Sequence, residues 1–123
     1  MTRVSGRVLV VDDEFLIAEL LTVMIEDMGL TVCGSAATAA EAKALATEHR
    51  PELVLMDVRL QGQEDGIDAA KHIHHHVGSR VIFITGSREP DTVARIETDH
   101  PAAVLFKPIT FEQLRQAVGK ARL

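Results

Sequence analysis

Four short apolar runs in this chain each stop at a residue able to do chemistry. Arg7 to Val11 ends in Asp12-Asp13-Glu14, Leu53 to Met56 ends at Asp57, Arg80 to Ile84 ends at Thr85-Gly86-Ser87, and Ala102 to Phe106 ends at Lys107-Pro108. If these runs are parallel strands, all four ends lie on one rim, the edge where ligands bind in open α/β sheets. Carboxylates crowded on that rim repel one another unless something positive is bound. Mg²⁺ suits the place, because it takes one or two carboxylates, keeps several waters and accepts an oxygen from a phosphorylated partner. Lys107 adds a mobile positive charge, and the Thr85 hydroxyl offers a donor to an anionic oxygen. Such a set suits a carboxylate nucleophile that becomes an acyl phosphate.

The elements between these runs read as helices. Leu16, Ile17, Leu20, Leu21, Met24 and Met28 recur at helical spacing, and Gly29 stands where a left-handed C-cap would end that helix. Leu30 to Gly34 reads as a short second strand. Thr38-Ala39-Ala40-Glu41 is a capping-box pattern opening a second helix that ends near His49-Arg50-Pro51. Asp65-Gly66-Ile67-Asp68 opens a third, with Ile67, Ala70, Ile73 and Val77 inward. Pro90 suits the first turn of a fourth helix whose apolar positions, Val93 and Ile96, are few. Thr110-Phe111-Glu112-Gln113 is a second capping box, with Ile109 and Leu114 as a hydrophobic staple. Five strands alternating with five helices imply βαβ crossovers and a parallel α/β sheet. No linker or repeat separates them, so one domain over residues 1–123, without an appended output domain, is expected.

Composition narrows the partners. Lys and Arg total 13 against 18 for Asp and Glu, a formal charge of −5, which argues against direct nucleic-acid binding. No apolar stretch approaches the roughly 18 residues needed to span a bilayer, and the polar start lacks a signal region, so a cytoplasmic protein is expected. The single cysteine, Cys33, excludes an intramolecular disulfide and reads as a small buried residue. His72, His74, His75 and His76 read as the polar end of the third helix rather than a metal site, since no Cys or acid completes a ligand set. Met24, Met28 and Met56 read as core.

Taken together, Val11-Asp12-Asp13-Glu14, Leu55-Met56-Asp57, Ile84-Thr85-Gly86 and Phe106-Lys107-Pro108 resemble the receiver domain of two-component response regulators, and the resemblance covers essentially the whole chain. It implies a flavodoxin-like (βα)5 fold, doubly wound, with strand order 2-1-3-4-5. It further implies that Asp57 accepts a phosphoryl group from a sensor histidine kinase. Asp12 and Asp13 would hold Mg²⁺ with Asp57 and the backbone carbonyl of Arg59. Thr85 and Lys107 would meet the phosphoryl oxygens, and the Lys107-Pro108 bond would be cis. Two positions depart from the family pattern. Gln61 stands where many receivers have proline, and Val104 where they have an aromatic switch residue, so a threonine–aromatic coupling at that position cannot operate. The loop Val58 to Asp65 is one residue longer than usual. Phe83-Ile84-Thr85-Gly86 also resembles a subgroup of single-domain receivers, known mainly from alphaproteobacteria, that lack that aromatic.

Three functions compete. The first is a phosphorylation switch whose fourth helix, fifth strand and fifth helix bind a partner protein or a second copy of the chain, with no enzymatic activity beyond self-catalysed phosphotransfer and slow autodephosphorylation. The second is a phosphate shuttle or sink, exchanging with a histidine phosphotransfer protein. The third is a hydrolase of the haloacid dehalogenase type, which also uses Asp, Mg²⁺, Thr and Lys. That family places an Asp-x-Asp nucleophile after its first strand under a cap, whereas Asp12-Asp13 is adjacent here and no cap segment is evident.

Overall fold

A computed structural model describes residues 6–122. Five strands, β1 (Arg7–Val11), β2 (Thr31–Ala36), β3 (Leu53–Met56), β4 (Arg80–Thr85) and β5 (Ala103–Phe106), alternate with α1 (Phe15–Asp27), α2 (Ala39–His49), α3 (Gly66–His76), α4 (Pro90–Glu97) and α5 (Phe111–Ala121). The strands form one parallel sheet in the order β2-β1-β3-β4-β5. This is the expected flavodoxin-like doubly wound topology. Parallel strands need crossovers, and helices on both faces bury β1 and β3 completely apart from Arg7. One apolar cluster joins the sheet to α2 and α3, the other joins it to α1 and α5.

Local chemistry sets the helix ends. The Thr110 hydroxyl accepts from Gln113 N and the Gln113 side chain accepts from Thr110 N, the reciprocal capping box expected there. The box at Thr38 is altered: its hydroxyl accepts from Glu41 N, while the Glu41 carboxylate reaches past it to Ala37 N. Gly29, at φ +84, takes the left-handed position just past α1.

Leu16 and Leu20 share the helical spacing of Leu21 but are 78% and 49% exposed, and α1 buries Ala18, Leu21 and Ile25. That helix is apolar on nearly every side, so its period does not select a face. Cys33 is half-buried rather than buried. The register passes from Val8↔Val32 to Leu9↔Gly34, which makes Cys33 the extra residue of a bulge on an edge strand. Burial pushes its thiol pKa up, with Arg7 opposing, so it is not an activated nucleophile.

Candidate functional site

Each strand end delivers its residue to the same rim. Asp12 follows the buried β1 and is itself 3% exposed. Its Oδ1 accepts from Glu14 N at 2.9 Å, which orients the carboxylate, and its Oδ2 accepts from Lys107 Nζ at 3.0 Å. Asp57 follows β3 and is 8% exposed. Val58 N donates to its Oδ1 at 2.9 Å, which leaves Oδ2 turned toward Lys107 Nζ at 3.5 Å. Lys107 also lies 3.9 Å from Glu14. One ammonium therefore bridges three acids contributed by two neighbouring strand ends.

Close approach of α3 makes this rim possible. A Cβ on Gly66 would fall 1.8 Å from the Asp57 carbonyl oxygen, so only glycine lets the start of that helix lie against the Asp57 backbone. Gly66 N donates to Val58 O at 2.7 Å, and the Asp65 side chain caps the helix by accepting from Asp68 N. The sequence pattern Asp65-Gly66 thus serves both a cap and a contact.

Electrostatics follow from this burial. The Asp57 pKa is raised to about 6, first by loss of water, then by the Asp12 charge, with Lys107 and the Val58 N–H pulling the other way. Lys107 is raised in turn: burial works against its charge, but the Asp12 hydrogen bond and the Asp57 charge outweigh it. Asp12, Asp13 and Asp57 can each offer a carboxylate oxygen within 4.8 Å of the others, and no other such group occurs among the described residues. The donor set is all oxygen, which fits a hard divalent cation. Those residues would hold it and Lys107 would share their charge.

All the sequence-predicted site residues meet here. Asp13, Asp57, Arg59, Thr85 and Lys107 line one open cavity of about 630 Å³, beside the buried Asp12. Thr85 is buried at its wall, the exposed Arg59 stands at the mouth, and the Lys107-Pro108 bond is cis. Arg88 and Glu89 also line it and were not anticipated, since neither belongs to a motif. The histidines lie elsewhere. His72 and His76 stack with ring centroids 4.2 Å apart, and His75 Nε2 lies 2.9 Å from Asp99, an acid that sequence distance concealed.

A doubly wound α/β fold carrying an acidic, lysine-bridged rim at its strand ends defines the class to which this chain is compared. A family model described as "Response regulator receiver domain" matches residues 8–119, and the chain belongs to that family. The transcriptional regulatory protein PdtaR of Mycobacterium tuberculosis is 36% identical over 118 residues, covering 96% of this chain and 57% of that protein. The chain therefore spans little more than half the length of that curated relative. Among solved structures, the signal receiver domain of a modulated diguanylate cyclase from Desulfovibrio desulfuricans G20 has a TM-score of 0.89 at 31% identity, covering 94% of this chain and 91% of that one. The receiver domain of PhyR from Erythrobacter litoralis has a TM-score of 0.85 at 30% identity, covering 96% and 90%. Membership of the receiver family disfavours the hydrolase reading. No helix among the described residues is long and apolar enough to cross a membrane.

Proposed function

We propose that this chain is a phosphoacceptor in a two-component system: Asp57 takes a phosphoryl group from a sensor histidine kinase in the cytoplasm, and the modified domain changes its protein–protein contacts. The observation that carries this reading is the buried Asp57 carboxylate, held by Val58 N on one oxygen and facing Lys107 with the other. An Asp57 oxygen attacks phosphorus, the phosphorus–nitrogen bond of the donor phosphohistidine breaks, and its electron pair returns to the imidazole, which takes up a proton. Mg²⁺, when held by Asp12, Asp13, Asp57 and the Arg59 carbonyl, would supply charge neutralisation for the transferring group. Lys107 bridges Asp12 and Asp57 beforehand and is placed to follow the charge onto the phosphoryl oxygens. Thr85, which lines the same cavity, offers its hydroxyl. No activity on a separate substrate is proposed.

The outer face of α1 supports a docking role for the donor. Phe15, Leu16, Leu20 and Val23 are exposed there, and an apolar groove from Leu20 to Ile109 has Lys107 as a wall. Lys107 lines the phosphoacceptor cavity as well, so a helix seated in the groove ends beside Asp57. α1 carries acids and no basic residue, which favours a donor helix flanked by Lys or Arg. Output fits the other side. β5 is an edge strand with every residue half-buried, and α4 buries only Ile96. Arg95 ties α4 to α3 through Asp65 at 2.9 Å and Asp68 at 3.6 Å, an ionic tether rather than an apolar seat.

Intact-protein mass after treatment with a small-molecule phosphodonor, with and without Mg²⁺, tests the reading. A Mg²⁺-dependent gain of one phosphoryl group in the wild type and none in Asp57→Asn is expected. No gain in the wild type, or a retained gain in the variant, overturns it.

A further inference from the structure

The Thr85 hydroxyl is tied to more than the rim. Its Oγ1 accepts from the Ser87 N–H at 3.1 Å, so the loop between β4 and α4 is pinned to a residue that lines the phosphoacceptor cavity. One residue on, the Arg88 guanidinium lies over the Phe106 ring, 4.2 Å from its centroid. Phe106 is the residue registered against Thr85 across the parallel pair, and Lys107 N donates to the Thr85 carbonyl at 2.8 Å. The contacts close a circuit from Thr85 through Ser87, Arg88 and Phe106 back to Thr85. By the two-residue alternation of a strand, Phe106 shares its face of β5 with Val104, which packs against the cluster containing Ile96 of α4.

We propose that Arg88 and Phe106 form an output latch: Arg88 covers the Phe106 ring while the rim is unmodified, and a phosphoryl group on Asp57 draws it off and bares the ring beside α4. This rests on the phosphoacceptor reading above. The Thr85 hydroxyl can donate to an anion while its lone pairs still accept from Ser87 N, so what disturbs that bond is displacement of Oγ1 itself. Turning the Thr85 hydroxyl toward an anion on Asp57 carries Oγ1 away from Ser87 N, and the loop either follows or loses its anchor. At the same time the cavity that Arg88 lines gains phosphoryl oxygens. A charge-assisted, bidentate contact to such oxygens outcompetes the face of a half-buried ring for a guanidinium. Both changes act in one direction. Phe106, two residues beyond Val104, thereby supplies the aromatic signal that position 104 lacks.

The chain has no Trp and no Tyr, so Phe106→Trp introduces a single indole. Acrylamide quenching of that indole is followed as phosphodonor and Mg²⁺ are added, with intact mass read in parallel. The quenching constant should rise severalfold as the phosphoryl group is gained. Arg88→Ala in the same background should show the raised value without phosphodonor, and Arg88→Lys, which keeps the charge but not the planar group, should fall between. A phosphoryl gain with unchanged quenching overturns the latch, as does an Arg88→Ala variant that quenches like its parent. No phosphoryl gain at all overturns the Asp57 reading and the latch with it. Should Phe106→Trp not fold, hydrogen exchange at residues 86–89 gives the same decision: unmodified Arg88→Ala should match the modified wild type, and a match to the unmodified wild type overturns the proposal.

Discussion

Replacing Asp57 by asparagine should stabilise the metal-free domain at neutral pH while abolishing its modification. The carboxylate is buried beside Asp12, and its pKa is raised from 3.8 to about 6. A carboxylate raised in the folded state gives stability that is fully present below its unfolded pKa and is lost as pH rises through the folded value. The loss therefore develops between pH 3.8 and about 6 and is complete above it. At about 1.4 kcal/mol for each unit of separation, the ceiling is about 3 kcal/mol. Water reaching Asp57 through the open cavity, and the Lys107 contact that asparagine weakens, reduce this to about 1–2 kcal/mol. Asparagine keeps an oxygen for Val58 N, so the packing is unchanged. Urea melts of both proteins with a chelator present, at about pH 7.5 and about pH 4.5, should show the variant ahead at the higher pH and the gap closing at the lower. A variant less stable than wild type at the higher pH, or a gap of equal size at both, refutes the reasoning.

Three further outcomes are expected. Mg²⁺ at ten times its dissociation constant should stabilise the wild type by about 1.4 kcal/mol in thermal melts, and Asp13→Asn should lose most of that gain; an equal gain in the variant would remove Asp13 from the metal set. Gly66→Ala should cost about 2–4 kcal/mol in chemical denaturation, because its Cβ meets the Asp57 carbonyl; an unchanged midpoint would show that the α3 start is free to retreat. Leu20→Glu should leave labelling by a small phosphodonor intact while slowing transfer from the cognate kinase by about tenfold or more, the worth of one well-buried anchor; equal slowing with both donors would place the defect in the site, not the groove.

The parts of this fold legible in the sequence are those where one residue type has one physical use. A run of four apolar residues, too short for a helix and bounded by Pro51, suits a strand covered on both sides, so Leu53 to Met56 located the centre of the sheet, and Asp57 the centre of the rim. Thr110 with Gln113 and Gly29 marked their helix ends for the same reason. The outer face of α1 was not legible, because a helix with Phe15, Leu16, Leu20 and Val23 outside and Leu21 and Ile25 inside offers the core two candidate stripes. Pairing across long sequence separations was equally hidden. Neither His75 with Asp99 nor Arg88 with Phe106 follows from any spacing, since both depend on where the α3–α4 and β4–β5 crossovers bring the chain. The bulge at Cys33 left no mark at all in an otherwise regular apolar run.

The unequal burial of the sheet has a consequence for how such a protein diversifies. Asp12, Asp57 and Thr85 stand at the ends of strands sealed from both sides, where almost any change of volume is felt, whereas Lys107 follows a half-open edge strand beside an ionically tethered α4. Substitutions in α4 and β5 can therefore accumulate, and alter which surface is presented, without moving the acids that do the chemistry. Grafting residues 86–106 between relatives of this chain is accordingly a rational way to exchange listeners while keeping the same reagent underneath.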